Sequence, residues 1–230
     1  MKLGVISDVH GNAHALRPVL AFLQERVDRL LFLGDLVGYY PFVNECVDMW
    51  DEDRIVSIGG NHDQVLTRCI RLQKAPEREY QASYGSALER TQRSLSKRAE
   101  SLLLSWPTQR RLNLASVGIA MFHGTPWDPL EGRVYPDFTH WERFDECPED
   151  IILMGHTHHP VLRRRKGKLI LNPGSVGQPR DKSGAACCAE LDLATGNAVH
   201  HRLPYDATAL IDDARQHNPH LEFLVQVLCR

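Results

Sequence analysis

The stretch LGVISDVHGN (residues 3–12) decides the fold, because an apolar run passes directly into a polar loop. Leu3–Ile6 is typical of a buried β-strand, and Leu30–Leu33 is a second run of the same kind. A helical period lies between them, with its apolar side chains on one face: Leu16, Val19, Leu20 and Leu23. This order predicts a βαβ unit, in which a right-handed crossover joins two parallel strands.

The remaining chain alternates strands with helices and then becomes rich in strands. Val43–Trp50 and Asp137–Phe144 predict short helical stretches, and residues 64–106 predict a polar helical segment. Helical turns close the chain as an extension over residues 205–230. The further predicted strands are Ile55–Ile58, Leu112–Ala115, Val117–Phe122, Ile151–Met154, Val161–Arg164, Leu169–Leu171 and Ala185–Leu193. We expect one α/β domain over residues 1–230, with mixed sheets packed together and helices outside.

Charge and composition argue against membranes and nucleic acids as targets. The formal net charge is -2, so no overall positive field attracts either of them. The basic run Arg163–Lys168 is interpreted as a solvated hairpin tip, not as a dedicated nucleic-acid-binding patch. No apolar run approaches the roughly 20 residues of a membrane span, and we expect no secretory leader before the first strand. Six cysteines without CxxC spacing indicate a reducing compartment, and we expect the cytoplasm.

Five of the predicted strands end in the same way, with Asp, Asn or His at or just after the last apolar residue. The segments are Asp8-Val9-His10, Gly34-Asp35, Gly60-Asn61-His62-Asp63, His123-Gly124 and Gly155-His156-Thr157-His158. Ligands of α/β sheets collect beyond the carboxyl ends of the strands, so these five segments can converge on one crevice. The adjacent glycines allow sharp turns and close approach of the backbone.

Each segment alone has an ordinary structural interpretation. Asp8 could cap the following helix, and Asp35 could be a turn residue after Gly34. A single His123 is more often a structural histidine, and His156 and His158 share a face through strand alternation alone. The occurrence of all five in order, each at a strand end, favours a functional site.

The donor types indicate the chemistry of this site. Two carboxylates, one amide oxygen and four imidazoles suit Mn, Fe, Co, Ni or Zn in open coordination, and they argue against a closed structural zinc site. Seven donors exceed the needs of one ion, and a carboxylate that bridges two ions accounts for the surplus. We therefore expect two divalent metal ions, with Mn2+ as the first candidate, and a small phosphorylated substrate.

The five segments together resemble the signature blocks of the calcineurin-like metallophosphoesterases. The resemblance extends from residue 1 to about residue 193. Asn172–Arg180 is similar to the closing signature of the small bacterial and archaeal branch of that family, which points to phosphodiesters as substrates. The resemblance implies a four-layer sandwich of two mixed β-sheets flanked by helices.

The resemblance also implies roles for individual residues. One metal ion would take Asp8, His10, Asp35 and His158, and the other would take Asp35, Asn61, His123 and His156. A hydroxide shared by the two ions would attack phosphorus in line with the leaving oxygen. His62 would not bind metal but would face the scissile phosphate as the catalytic side chain, with Asp63 holding its ring.

One departure from the family concerns the substrate. Protein Ser/Thr phosphatases of this family carry an arginine after the Gly-Asp block, whereas Leu36–Tyr40 follows it here. Arg180 is the substitute we expect for phosphate contact, since a guanidinium can bind phosphate through two donors. Its ordinary alternative is a structural arginine that holds the glycine-rich loop.

Several alternatives stay open at this stage. Phosphomonoesterase and protein Ser/Thr phosphatase activities compete with the phosphodiesterase interpretation, and a non-enzymatic scaffold of the same fold is a rival from another class. An aspartyl-nucleophile phosphatase would need a second carboxylate at position 10, where the chain has His10. Residues 64–106 could either overhang the site or simply cover one sheet. The oligomeric state is not predicted.

Overall fold

The computed structural model describes residues 1–229 as two five-stranded sheets packed face to face. The strands are β1 (Lys2–Ile6), β2 (Arg29–Phe32), β3 (Ile55–Ser57), β4 (Gln109–Leu114), β5 (Val117–Phe122), β6 (Ile151–Leu153), β7 (Pro160–Arg165), β8 (Lys168–Pro173), β9 (Ala186–Asp192) and β10 (Asn197–Leu203). The helices are α1 (Ala13–Gln24), α2 (Val43–Asp48), α3 (Asn61–Leu72), α4 (Arg78–Tyr84), α5 (Ala87–Ser94), α6 (Lys97–Ser105), α7 (Thr208–His217) and α8 (Phe223–Gln226).

Both sheets are mixed. The first has the order β10-β9-β1-β2-β3, with β1, β2 and β3 parallel to one another. The second has the order β4-β5-β6-β8-β7, with β5, β6 and β8 parallel. The unit β1-α1-β2 is the predicted βαβ crossover, and Leu3 pairs with Arg29 in its register. Because the parallel strands of each sheet end on one side, the loops that follow them lie together.

The layers follow from which face each strand buries. Between the sheets, alternate residues such as Val5, Leu31 and Met121 form one apolar core. The outer face of the first sheet packs against α1, α2 and α6 around Leu16 and Phe32. These layers confirm the predicted sandwich of two mixed sheets with helices outside.

The outer face of the second sheet is covered differently from the prediction. The expected helical stretch Asp137–Phe144 is a 3-10 helix over Trp141–Glu146, preceded by irregular chain. Phe138, Trp141 and Phe144 recur every third residue, and they pack together on this sheet. Three residues per turn is the period of a 3-10 helix, so this spacing keeps Trp141 and Phe144 on one side of the helix, and Phe138 packs beside them from the chain before it.

The strand β10 was not predicted. It lies at the edge of the first sheet and pairs with β9 alone, so half of its backbone groups face outward. Its sequence is polar, with His200, His201 and Arg202 in succession, and it shows no apolar run. An exposed edge strand needs little apolar surface, which explains why its sequence does not resemble that of a buried strand.

The basic run at the tip of the β7–β8 hairpin is largely occupied by local contacts. Arg165 and Lys166 both form ion pairs with Asp145, and the guanidinium of Arg163 lies over the ring of Trp141. Lys168 donates to backbone carbonyl groups. These contacts support a structural role for the run. In the part of the chain that the structure describes, no helix is long and apolar enough to cross a membrane.

Candidate metal centre

All seven candidate ligands lie together where the parallel strands of the two sheets end. We call them the strand-end cluster: Asp8, His10, Asp35, Asn61, His123, His156 and His158. The segments after β1, β2 and β3 supply the first four from one sheet. The segments after β5 and β6 supply the three histidines from the other sheet. The crevice between the two sheets therefore collects donors that are up to 150 residues apart in the chain.

Two groups of donors that share no residue are close enough to hold separate cations. Asp8, His10 and His158 form one, and Asp35, His123 and His156 form the other. His10, Asp35 and His62 also lie within the same distance of one another, but this third combination takes one residue from each of the two groups. In the first, Nε2 of His158 lies 3.4 Å from Oδ1 of Asp8. In the second, Nε2 of His123 lies 3.2 Å from Oδ2 of Asp35. Nε2 of His123 is also 2.9 Å from Oδ1 of Asn61, which adds the amide oxygen to the second group.

Asp35 lies between the two groups. Its Oδ2 is 3.2 Å from Nε2 of His123 on one side and 3.9 Å from Nε2 of His10 on the other. Its Oδ1 accepts a hydrogen bond from the backbone N–H of His62 at 2.9 Å. The Oδ2 atom thus faces both groups, which is the arrangement that a bridging carboxylate needs.

Backbone carbonyl groups select the tautomer of three histidines. Nδ1 of His10 is 2.9 Å from the carbonyl oxygen of Val37, and Nδ1 of His123 is 2.8 Å from that of Leu33. Nδ1 of His158 is bonded in the same way to the carbonyl of Gln178, at 2.7 Å. Because a carbonyl oxygen only accepts, Nδ1 carries the hydrogen and Nε2 of each neutral ring keeps its lone pair. The three lone pairs point into the cluster, as metal-binding histidines require.

The close contact between the rings of His10 and His158 requires a positive charge beside it. Nε2 of His10 and Nε2 of His158 are only 2.9 Å apart, and both rings are buried. Two unprotonated nitrogens at this distance repel each other, because neither has a hydrogen to donate. A cation bound by both removes the repulsion. The donor set and this contact together fit a divalent metal ion at the first group.

The shifted pKa values of Asp8 and His123 also fit bound cations. Burial raises the pKa of Asp8 to about 7, and its Oδ1 has no hydrogen-bond partner within residues 1–229. Burial lowers the pKa of His123, but the neighbouring Asp35 carboxylate outweighs burial and raises it to about 10. The raised pKa of Asp8 reflects the cost of burying an anion that no positive charge neutralises. The raised pKa of His123 shows that the cluster attracts positive charge.

The backbone is strained at the cluster. Asp8, His10, Asp35, His156 and His158 all have positive φ angles, between 52° and 66°. For residues other than glycine this conformation is unfavourable by about 1–2 kcal/mol each. Five such residues in one cluster indicate that the loops are shaped to aim side chains at a common point.

Two glycines are required for the loops to approach one another. A Cβ atom on Gly60 would lie 2.3 Å from Oδ1 of Asp35, and one on Gly177 would lie 1.9 Å from the carbonyl oxygen of Val9. Gly60 therefore lets the start of α3 reach the Asp35 loop. Gly177, in the predicted closing signature Asn172–Arg180, lets that segment pack on the β1–α1 loop.

His62 lies beside the cluster, but Asp63 does not hold its ring as we expected. The Asp63 carboxylate instead accepts hydrogen bonds from the backbone N–H groups of Asp35, Val37 and Gly60. Three backbone donors are available because the Asp35 loop and the start of α3 meet at this point, and they engage both oxygens of the carboxylate. Nδ1 of His62 is hydrogen-bonded to the hydroxyl of Tyr80 on α4.

A pocket of about 200 Å³ opens onto the cluster and contains Arg180. The Arg180 guanidinium contacts the Tyr39 hydroxyl at 3.1 Å and Oε1 of Gln178 at 3.3 Å. Within residues 1–229 it forms no ion pair with a carboxylate, so its charge is available to an anion in the pocket. These neutral contacts also tie Arg180 to the loop, so both expected interpretations remain compatible with its position.

Sequence reasoning missed four other residues of the pocket. They are Tyr39, Tyr84, Arg133 and Tyr135. Nε of Arg133 donates to Nε2 of His156 at 3.1 Å, which fixes that ring from outside the cluster. Tyr39 adjoins the Gly34-Asp35 segment and could have been noticed there. The other three lie on α4 or in the loop after β5, where no apolar run or motif marks them.

Comparison with known sequences identifies a matching family. Residues 1–196 match the profile of the calcineurin-like phosphoesterase superfamily domain. An uncharacterized protein of Methanocaldococcus jannaschii is 31% identical over 222 residues, covering 89% of this chain and 88% of that protein. The match with the family profile includes every residue of the strand-end cluster, as well as His62 and Arg180.

Solved structures share the whole architecture. A metallophosphoesterase from Sphaerobacter thermophilus superposes with a TM-score of 0.80 at 28% identity, covering 100% of this chain and 98% of that one. A hypothetical protein from Pyrococcus horikoshii gives the same TM-score at 19% identity, covering 99% of this chain and 97% of that one. At the lower identity the likeness concerns the fold alone.

Proposed function

The chain belongs to the calcineurin-like phosphoesterase superfamily, which makes it a metal-dependent phosphoesterase, and we propose that it works with two divalent ions at the strand-end cluster. The position of Asp35 carries this proposal, because its Oδ2 faces a group of donors on each side. A single ion would leave one of the two groups of buried donors without a positive charge.

The chain offers each ion four side chains. Asp8, His10, Asp35 and His158 would hold the first ion. Asp35, Asn61, His123 and His156 would hold the second. Two cations held there would supply a nucleophile from water at neutral pH and would neutralise the charge of the phosphate. The two sets share Asp35, and an ion such as Mn2+ that takes up to six ligands would keep positions for water and substrate beside four side chains.

The remaining polar side chains act on the substrate. His62 borders the pocket and would donate a hydrogen bond from its ring to the leaving oxygen. Arg180 would contact the phosphate through its guanidinium, whose charge no carboxylate of residues 1–229 neutralises. The tyrosines of the pocket wall restrict water, which strengthens the electrostatic interactions inside.

Phosphodiesters are the substrate class that we propose first, on the resemblance to the small bacterial and archaeal branch. Phosphomonoesters are the second candidate, and one observation favours them. Arg133 and Arg180 both line the pocket, and two guanidiniums suit the dianion of a monoester better than the single charge of a diester. A phosphoprotein substrate is disfavoured, because Leu36–Tyr40 holds no arginine beside the Gly34-Asp35 segment.

Metal identity and compartment are proposals as well. Mn2+ is the first candidate because the site mixes carboxylate, amide and imidazole donors, and Fe, Zn, Ni and Co suit the same donors. We propose the cytoplasm as the compartment, where thiols stay reduced. All six cysteines are free thiols in the structure. Segment 64–106 supplies Tyr84 to the pocket wall, which supports a role in substrate choice.

A metal and substrate panel tests the proposed function. Chelator-treated protein is reloaded with Mn2+, Zn2+ or Mg2+ and assayed on p-nitrophenyl phosphate and bis-p-nitrophenyl phosphate. We expect metal-dependent hydrolysis, with the diester preferred. The matched control is Asp8→Asn, which keeps the volume of the side chain but removes a ligand charge. Fully loaded, folded protein that cleaves neither ester would support the scaffold instead.

A further inference from the structure

The ring of His62 is held from α4. Its Nδ1 is hydrogen-bonded to the Tyr80 hydroxyl, while its Nε2 lies 4.0 Å from Oδ2 of Asp35. The rings of Tyr80 and Tyr84 both pack edge-on against it, with centroids 5.5 Å and 4.8 Å away. The imidazole thus has one nitrogen on the tyrosine side and the other on the side of the cluster.

The surroundings indicate which nitrogen carries the hydrogen. Within residues 1–229 the Tyr80 hydroxyl has no hydrogen-bond partner other than His62, so Nδ1 is the acceptor available to its hydrogen. Burial raises the pKa of Tyr80 well above its ordinary value, which keeps that hydrogen in place. If Nδ1 accepts, the hydrogen of the neutral ring is on Nε2.

A tyrosine differs here from the carboxylate partner that we expected. A hydroxyl can donate to Nδ1 of a neutral ring and can accept from Nδ1 of a protonated ring. Nε2 carries a hydrogen in both cases. A carboxylate only accepts, so it would hold the hydrogen on Nδ1 and leave Nε2 of the neutral ring bare. The hydroxyl therefore makes His62 a constant donor toward the pocket.

We infer that Tyr80 is the positioning residue of His62: it fixes the ring and keeps a hydrogen on Nε2, aimed at the leaving oxygen of the substrate. The catalytic part of this inference rests on the proposed function, whereas the location of the hydrogen does not. Segment 64–106 thereby takes part in the site through its effect on His62, in addition to lining the pocket.

The chain that follows α4 is bound to the C-terminal helices. The segment between α4 and α5 is bonded to the C-terminal end of α7, where Oδ1 of Asn218 accepts from the backbone N–H of Ser86 at 2.8 Å. Arg90 on α5 forms two hydrogen bonds to Asp213 on α7, at 2.7 and 2.6 Å. These contacts anchor the chain that directly follows α4, the helix that carries Tyr80.

Nuclear magnetic resonance of the ring nitrogens tests the location of the hydrogen. The protein is labelled with 15N-histidine and loaded with Zn2+, which is diamagnetic. We expect the protonated nitrogen of His62 to be Nε2. In Tyr80→Phe the Nε2–H form should lose its dominance. Tyr84→Phe is the matched control, because the Tyr84 ring also packs against His62, at 4.8 Å between centroids, and it should leave His62 in the wild-type tautomer.

Kinetics test the consequence for catalysis. An alkyl leaving group develops more charge than p-nitrophenolate, so it depends more on a donor at the leaving oxygen. With Tyr80→Phe we expect kcat to fall about 10–100-fold for alkyl phosphate esters and less than about threefold for p-nitrophenyl esters, with KM unchanged. In a His62→Ala background, the additional Tyr80→Phe change should have no further effect.

The outcomes distinguish the contact between Tyr80 and His62 from its consequence for catalysis. A His62 spectrum that is the same in wild type and Tyr80→Phe, at equal thermal stability, would overturn the inference. Equal losses of kcat for both kinds of ester, or losses that persist without His62, would overturn its catalytic part. A tautomer that depends on Tyr80 in a protein that cleaves no ester would instead sustain the inferred contact and reject the proposed function.

Discussion

The Asp63 carboxylate binds the backbone of Asp35. Its Oδ2 accepts from the Asp35 N–H at 2.7 Å and from the Gly60 N–H at 3.0 Å, and its Oδ1 accepts from the Val37 N–H at 3.1 Å. Both segments that flank the carboxylate deliver candidate ligands. Asp63 thus joins the loop after β2 to the start of α3 and holds Asp35 where it faces both groups of donors.

Replacing Asp63 tests its support of the metal centre. Asp63→Ala leaves three backbone N–H groups without their acceptor, and we expect metal affinity to fall about 10–100-fold. Asp63→Asn keeps one acceptor oxygen and should show a smaller loss. Isothermal titration of chelator-treated protein with Mn2+ measures both variants. Wild-type affinity in Asp63→Ala would show that the loop holds its shape without this carboxylate.

The buried charge of Asp8 predicts a stability change in metal-free protein. Its pKa is about 7 in the folded chain, against 3.8 for the unperturbed group. Between pH 4 and 7 the folded state therefore keeps a proton that the unfolded state has released, so the free energy of unfolding decreases as pH rises. Asp8→Asn removes this effect and should make the metal-free protein more stable at pH 8, by about 2–4 kcal/mol.

Urea unfolding at pH 5 and pH 8 in the presence of a chelator measures this difference. The increase in the free energy of unfolding of Asp8→Asn over wild type should be smaller at pH 5 than at pH 8. Asp212→Asn, which changes an exposed carboxylate on α7, controls for net charge. If metal-free Asp8→Asn were no more stable than wild type at pH 8, the buried carboxylate would not carry the predicted cost.

Arg180 is expected to contribute to phosphate binding. Arg180→Ala should lower kcat/KM about 10–100-fold, since a hydrogen bond to a charged group contributes about 1.5–3 kcal/mol. Arg180→Lys keeps the charge but not the two-donor geometry, and it should recover part of the loss. Steady-state kinetics on the better p-nitrophenyl substrate gives both values. Unchanged kcat and KM in Arg180→Lys and Arg180→Ala would leave only the structural role.

The contact of Asn218 with Ser86 predicts an effect of the C-terminal helices on the site. Asn218→Ala leaves the Ser86 N–H unpaired and should reduce the free energy of unfolding by about 1–3 kcal/mol. Because α4 ends beside this contact, kcat should fall as well, while bound metal is unchanged. Asn218→Asp retains an acceptor and serves as the control. A loss of metal in Asn218→Ala would place its effect on the cluster instead of on α4.

Much of the fold was predictable because its signals are local. Leu3–Ile6 and Leu30–Leu33 are buried on both faces, so they read as apolar runs without reference to the rest of the chain. The edge strand β10 and the 3-10 helix at Trp141–Glu146 gave weaker signals. The first needs little apolar surface, and the second is set by packing of aromatic rings on the sheet.

The residues of the site also fall into those that the sequence predicts and those that it does not. The cluster residues follow strand ends, and the parallel order of β1, β2 and β3 brings their loops together by a general rule. Tyr80 follows no such rule, because its contact with His62 depends on how α4 packs against α3 and α7. The expected partner Asp63 is adjacent in sequence to His62, but the helix directs its side chain toward the backbone of the Asp35 loop.

The most direct measurement locates and counts the metal ions. Protein reloaded with Mn2+ is crystallised, and anomalous difference maps are combined with elemental analysis of wild type and Asp35→Asn. We predict two peaks per chain about 3.5–4 Å apart on either side of Oδ2 of Asp35, and at most one bound ion in Asp35→Asn. A single ion in the wild-type cluster, or peaks on separate surfaces, would contradict the account.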